Sequence, residues 1–249
     1  MALPRCSSVR TQLGLTVFQG YETADMATRV VIVDYGSGNL RSVAKAFERA
    51  AREDNQAIDL KISAHADDIA KADRIVLPGV GAFAACRAGL ATLPGMIEAL
   101  ENAVINRARP FLGICVGMQL LATLGEEHGV HRGFGWISGR VVALNANGDD
   151  HPDELPGGRR VPHMGWNALK IAQRAHPLLA GLADGANVYF VHSYQFMPDD
   201  ITNVLATTNY GDHITAVICR DNVAGTQFHP EKSQQLGLLM ITNFLKWQP

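Results

Sequence analysis

Leu112-Gly113-Ile114-Cys115-Val116-Gly117-Met118-Gln119 reads as a strand that turns sharply into a helix with a cysteine at the corner. The apolar run 110–114 predicts a buried strand, and the run 118–124 predicts a helix start. Between them, Gly-x-Cys-x-Gly supplies the small residues that such a corner requires, because a Cβ on either flank would crowd the turn. The helix N-terminus then lies beneath the sulfur and favours the thiolate, the reactive form. Taken alone, the segment also fits a free cysteine filling a packed turn, since free cysteines are usually buried.

A cysteine nucleophile needs a base in hydrogen-bond reach, and the base needs a third group to hold it. Far downstream, Gly225-Thr226-Gln227-Phe228-His229-Pro230-Glu231-Lys232-Ser233 offers both. Pro230 restricts His229 to extended backbone, and residues two apart in an extended chain share a side. The spacing therefore predicts His229 and Glu231 side by side, with the imidazole directed at Cys115. By itself His-Pro-Glu also reads as a surface turn. The third piece is Leu77-Pro78-Gly79-Val80-Gly81-Ala82-Phe83, which follows the apolar strand 74–77. Its N–H groups, with the one after the cysteine, suit an oxyanion hole. An ordinary βα loop or a phosphate cradle would look similar. However, position 84 is alanine and no Walker lysine follows, so a nucleotide motif is incomplete.

Together these pieces resemble the class I (triad) glutamine amidotransferases. Three further segments narrow the resemblance: Asp34-Tyr35-Gly36-Ser37-Gly38-Asn39-Leu40, Pro162-His163-Met164-Gly165-Trp166-Asn167 and Tyr189-Phe190-Val191-His192-Ser193-Tyr194. With them the chain resembles the glutaminase subunits of imidazole glycerol phosphate synthase, from about Arg29 to the C-terminus. The resemblance implies a Cys115–His229–Glu231 triad that hydrolyses glutamine to glutamate and ammonia. It implies an oxyanion site from Gly79, Val80 and Val116, and glutamine contacts at Gly81, Gln119, Glu127, Ser193 and Tyr194. It implies a separate (β/α)8-barrel cyclase subunit that takes the ammonia in histidine biosynthesis, with Asn39, Trp166 and Lys232 facing it. It implies no cofactor and no metal. For Gln119 a plain helix position, for Trp166 a core aromatic and for Lys232 a solvated charge are the competing readings.

Composition fits a cytoplasmic enzyme. The 249 residues are 47% hydrophobic and 18% charged, enough for a sizeable core and too apolar for disorder. A net charge of −2 without a basic stripe gives nucleic-acid binding no electrostatic support. Cys6, Cys86, Cys115 and Cys219 form no CxxC pair, so neither zinc nor a disulfide framework is suggested. No apolar run approaches membrane-span length. Residues 1–25 have no continuous apolar core for a signal peptide. They read as an upstream extension, with Met26 the natural start and 26–249 the glutaminase domain; a transit peptide is the competing reading.

From Val30 onward the pattern alternates between strand and helix. Strands are predicted over 30–33, 58–62, 74–77 and 110–114, and helices over 39–51 and 96–107, as in a parallel sheet covered by helices. The apolar positions Leu40, Val43, Ala44 and Phe47 share one helical face. The second half reads as strands over 141–144, 167–171, 188–191, 216–219 and 223–227, taken as an antiparallel or mixed extension of the same sheet. A helix over 234–247 closes the chain. The expectation is a single flavodoxin-like α/β domain. Segment 145–160 is polar and rich in Gly, Pro and Asp, and is predicted to be a solvated, solubilising loop, to which no function is assigned.

Other readings stay open. The chain could serve anthranilate, aminodeoxychorismate or pyridoxal phosphate synthase, against which Pro-His-Met-Gly-Trp-Asn argues. It could be a γ-glutamyl peptidase or cysteine hydrolase on the same fold, or a binding subunit with a dead triad.

Overall fold

A computed structural model describes residues 27–144, 154–155 and 159–249. The expectations for residues 1–25, for Met26 and for most of the 145–160 loop lie outside the described residues. The elements run β1 (Thr28–Val33), α1 (Leu40–Glu53), β2 (Ile58–Ser63), α2 (Ala66–Lys71), β3 (Arg74–Gly79), α3 (Phe83–Thr92), α4 (Met96–Glu101) and β4 (Phe111–Cys115). They continue with α5 (Val116–Gln119), β5 (Leu124–Gly125), β6 (His131–Arg132), β7 (Gly139–Ala143), and the short pair β8 (Glu154–Leu155) and β9 (Arg159–Arg160). The rest are β10 (His163–Ile171), β11 (Asn187–His192), β12 (Tyr194–Pro198), β13 (Val204–Tyr210), β14 (Asp212–Arg220), β15 (Val223–Thr226) and α6 (Gln234–Lys246).

The main sheet has the order β11-β10-β13-β14-β15-β4-β3-β1-β2. Strands β2, β1, β3, β4 and β15 pair in parallel, and β14, β13, β10 and β11 extend the sheet antiparallel. The expected architecture is therefore present: a parallel core with an antiparallel extension. β3 and β4 are buried at every position, which is why they read as continuous apolar runs rather than alternating ones. α1 buries Leu40, Val43, Ala44 and Phe47, the face its spacing predicts. It packs on α6, where Phe47 meets Phe244 edge-on at 6.2 Å.

Several expectations need correction. Segment 141–144 does not extend the main sheet; β7 belongs to a second, four-stranded sheet of order β12-β7-β5-β6. The helix expected over 118–124 begins two residues earlier, at Val116, and ends at Gln119. Leu124 is already in β5, held against β7, so tertiary pairing overrides the helical pattern. The helix 96–107 is α4 followed by a π-helical turn over Asn102–Asn106. Elements α2, α3, β12 and β13 are not among those the sequence pattern predicts. β13 lies inside the sheet, and Tyr210-Gly211-Asp212, with Gly211 at φ 83°, forms its turn into β14.

Candidate active site

The register of the main sheet brings the three sequence pieces together. Gly79 lies opposite Cys115 across β3 and β4, and Thr226 lies opposite Ile114 across β15 and β4. The Pro-Gly-Val-Gly loop, the cysteine and the His-Pro-Glu segment thus leave adjacent C-terminal strand ends, where open α/β sheets place their ligands.

Cys115 joins β4 to α5 with φ 56° and ψ −112°, strained for a residue with a Cβ. Close packing sets this corner. A Cβ on Gly117 would lie 1.8 Å from the Leu77 carbonyl oxygen, and one on Gly113 would lie 2.4 Å from the Gly117 oxygen. The helix beneath is a single turn, so it lacks the full macrodipole expected from the sequence. The thiol donates to the Val191 carbonyl at 3.8 Å, and the Gln227 side-chain amide faces the sulfur at 3.7 Å.

His229 is held by its backbone and its ring. Its N–H donates to the Tyr189 carbonyl at 2.9 Å, and its carbonyl accepts from Ser233 Oγ at 2.7 Å. Nδ1 meets Glu231 Oε1 at 2.8 Å, while the buried Nε2 has no hydrogen-bond partner among the described residues. His229 is extended at φ −98°, as the following proline requires. Glu231, however, does not arrive along an extended strand. Pro230–Lys232 forms a 3-10 turn, and that turn folds the carboxylate back under the imidazole. Burial lowers the His229 pKa, but the Cys115 sulfur and the Glu231 carboxylate outweigh it and hold it up at about 9. Burial also raises Glu231; bonds from His229 and Asn39 reverse this and hold it below the usual carboxylate range. An imidazole held by a carboxylate at Nδ1 and electrostatically coupled to a cysteine sulfur is suited to nucleophilic cysteine chemistry.

The loop Gly79-Val80-Gly81 lies over the first turn of α5; a Cβ on Gly79 would come within 2.5 Å of the Gly117 nitrogen. Two residues to which the sequence assigned no role hold it. Tyr35 donates to the Pro78 carbonyl at 2.7 Å, and Cys86 donates to the Val80 carbonyl at 3.4 Å. Burial pushes both of these groups up, so they remain neutral donors.

Beside the sulfur opens a cavity of about 240 Å³. Its wall brings together Cys115, Val116 and all five expected glutamine contacts: Gly81, Gln119, Glu127, Ser193 and Tyr194. Glu127 accepts from the Phe83 N–H at 2.5 Å, which ties its carboxylate to the start of α3. Gln119 is buried and donates to the Tyr194 carbonyl and to Gln227 Oε1, both at 3.0 Å. His192 also lines the cavity; burial lowers its pKa to about 3, and its Nδ1 lies 2.8 Å from the same Tyr194 carbonyl. Its Nε2 meets His163 Nδ1 at 2.9 Å. Both histidines stand in family-like motifs, but nothing in the sequence marks them as paired.

The three residues expected to face a partner divide. Trp166 is 49% exposed and crosses Tyr189 at 5.9 Å, and Lys232 stands over the same ring at 5.7 Å. They form one aromatic and cationic patch. Asn39 instead turns inward and donates to Glu231 Oε1 at 2.9 Å.

No helix among the described residues is long and apolar enough to cross a membrane. A family model for the class-I glutamine amidotransferases matches residues 31–247. The imidazole glycerol phosphate synthase subunit HisH of Rhodospirillum rubrum is 53% identical over 221 residues, covering 89% of this chain and 100% of that protein. The protein of the same name from Agrobacterium fabrum is 54% identical over 224 residues, with the same coverage. A solved structure described as a glutamine amidotransferase shares the fold at a TM-score of 0.62, with 17% identity over 87% of this chain and 97% of that one. The chain therefore belongs to the class-I glutamine amidotransferases and, within them, to the family of imidazole glycerol phosphate synthase subunit HisH.

Proposed function

We propose that this chain hydrolyses glutamine to glutamate and ammonia and passes the ammonia to a (β/α)8-barrel cyclase subunit, as the glutaminase of imidazole glycerol phosphate synthase in histidine biosynthesis. The observation that carries this reading is Cys115 at the wall of a cavity that gathers the five expected glutamine contacts, with a buried His229–Glu231 pair that feels its sulfur, in a member of this family. Cys115 Sγ attacks the carboxamide carbon while His229 Nε2 takes the thiol proton. The N–H of Val116 and one from Gly79-Val80-Gly81 hold the oxyanion. His229 returns the proton to the departing nitrogen; the C–N bond breaks, ammonia leaves, and the acyl carbon stays on Cys115 Sγ as a thioester. Water then attacks the thioester, again through His229, and releases glutamate and the free thiol. Glu231 keeps the imidazole oriented and supports its positive charge.

Gly81, Gln119, Glu127, Ser193 and Tyr194 hold the amino-acid end of glutamine, with the Glu127 carboxylate suited to its ammonium group. The patch of Trp166, Tyr189 and Lys232 docks the cyclase, which converts phosphoribulosyl-formimino-aminoimidazole-carboxamide ribonucleotide to imidazole glycerol phosphate and aminoimidazole-carboxamide ribonucleotide. The work is cytoplasmic and is done by residues 26–249; a protein translated from Met26 keeps full activity.

The test is glutamate release from glutamine, with and without the cognate cyclase and its nucleotide substrate. Strong stimulation by the two together supports the reading. Equal rates in every condition would make the chain a free-standing hydrolase and remove the docking assignments.

A further inference from the structure

Gln227 carries a polar side chain that the triad leaves unassigned. It is fully buried, one residue beyond β15 and two before His229. A buried carboxamide is costly unless its oxygen and nitrogen are both partnered. Its oxygen accepts from Gln119 Nε2 at 3.0 Å, and its nitrogen faces Cys115 Sγ at 3.7 Å.

The orientation of this amide follows from its neighbours. Gln119 contacts the Tyr194 backbone carbonyl at 3.0 Å, and a carbonyl oxygen only accepts. The atom of Gln119 at that junction is therefore its NH2 group. The second hydrogen of that group goes to Gln227, which must present its oxygen. The Gln227 NH2 group is then the end left for the sulfur. Tyr194 cannot reverse its role, so neither glutamine flips without breaking a buried bond.

We propose that Gln227 is a positioning residue for the nucleophile: its side-chain N–H, aimed by Gln119, donates to the Cys115 sulfur and favours the thiolate. The proposal rests on reading Cys115 as the nucleophile. A donor to sulfur binds the charged form more strongly than the neutral one. The Val191 carbonyl accepts from the thiol and favours the opposite form. Gln227 and His229 thus act together against Val191, and the amide restrains Sγ at the strained corner.

The test is the pH dependence of iodoacetamide alkylation at Cys115, followed by peptide mass in the full chain, for the native protein and for Gln227→Met and Gln227→Glu. Methionine keeps the volume and removes both bonds. Glutamate keeps an acceptor for Gln119 and removes the donor to sulfur. Both variants should move the alkylation midpoint upward by about one pH unit. A Gln227→Glu profile that overlies the native one would overturn the proposal and reduce Gln227 to a brace for Gln119. The native protein offers an independent reading that needs no substitution. The Gln227 side-chain amide resonance should titrate with the alkylation midpoint, and a flat resonance would overturn the proposal. Alkylation requires no glutamine, so a protein that releases no glutamate would sink the glutaminase reading and leave this result standing.

Discussion

Asn39 and Glu231, 192 residues apart in the chain, are joined by a 2.9 Å hydrogen bond to the same carboxylate oxygen that meets His229. Asn39 ends the Asp-Tyr-Gly-Ser-Gly-Asn segment at the mouth of α1, so this bond ties the loop after β1 to the His229–Glu231 pair. A charge-assisted bond of this kind contributes about 1.5 kcal/mol. Asn39→Ala should therefore lower kcat for glutamine hydrolysis roughly tenfold. If the loss appears in cyclase affinity while kcat in the assembled complex is unchanged, Asn39 serves the interface instead.

Cys115→Ala should abolish glutamine-dependent synthesis of imidazole glycerol phosphate while ammonia-dependent synthesis by the cyclase survives in the complex. Loss of both activities would mean that the cysteine holds the fold or the assembly rather than the chemistry.

The His229–Glu231 pair gives stability a pH dependence of known sign. The imidazole is raised from 6.5 to about 9, so its contribution is whole below pH 6.5 and is lost as pH rises through about 9. The carboxyl is lowered from 4.5, so its contribution is present above that pH and is lost as pH falls further. In urea unfolding, the stability gap between the native protein and Glu231→Gln should be widest between pH 4.5 and 6.5 and narrow toward pH 9. A gap that stays constant across that range would contradict the ion pair.

Gly117→Ala places a Cβ 1.8 Å from the Leu77 carbonyl oxygen, in backbone that has no room to yield. The cost should be about 3 kcal/mol, read as a lower urea midpoint with an unchanged m-value. A variant as stable as the native protein would show that the corner relaxes and that packing does not set it.

Trp166 is the large aromatic of the outward patch. As an interface anchor, its truncation should cost about 2 kcal/mol of cyclase affinity, measured by titration of the two subunits. Unchanged affinity for Trp166→Ala would move the docking surface away from β10.

The chemistry of the site is legible in the sequence because it is written in local patterns. Gly-x-Cys-x-Gly demands a crowded corner wherever it folds, and buried parallel strands announce themselves as unbroken apolar runs, as in β3 and β4. Sequence and structure diverge where local pattern and tertiary environment disagree. Met118, Leu120 and Leu121 have helical apolar spacing, yet β7 captures the following residues as β5. Val204–Tyr210 mixes apolar and hydroxyl residues, and only its neighbours β10 and β14 make it a strand. Glu231 does lie beside His229 as the spacing predicts, but a 3-10 turn rather than strand alternation brings it there.

The sequence by itself determined the Gly-x-Cys-x-Gly corner, the His229–Glu231 pair and the parallel core, because each depends on residue types that meet their physical requirement within a few positions. Tertiary structure alone decided the rest. Asn39 turns to Glu231, Tyr35 and Cys86 hold the Val80 loop, and the Gln119–Gln227 bridge reaches the sulfur. These contacts join residues far apart in the chain, and side-chain amides, hydroxyls and thiols leave no periodic trace of the partner they will find.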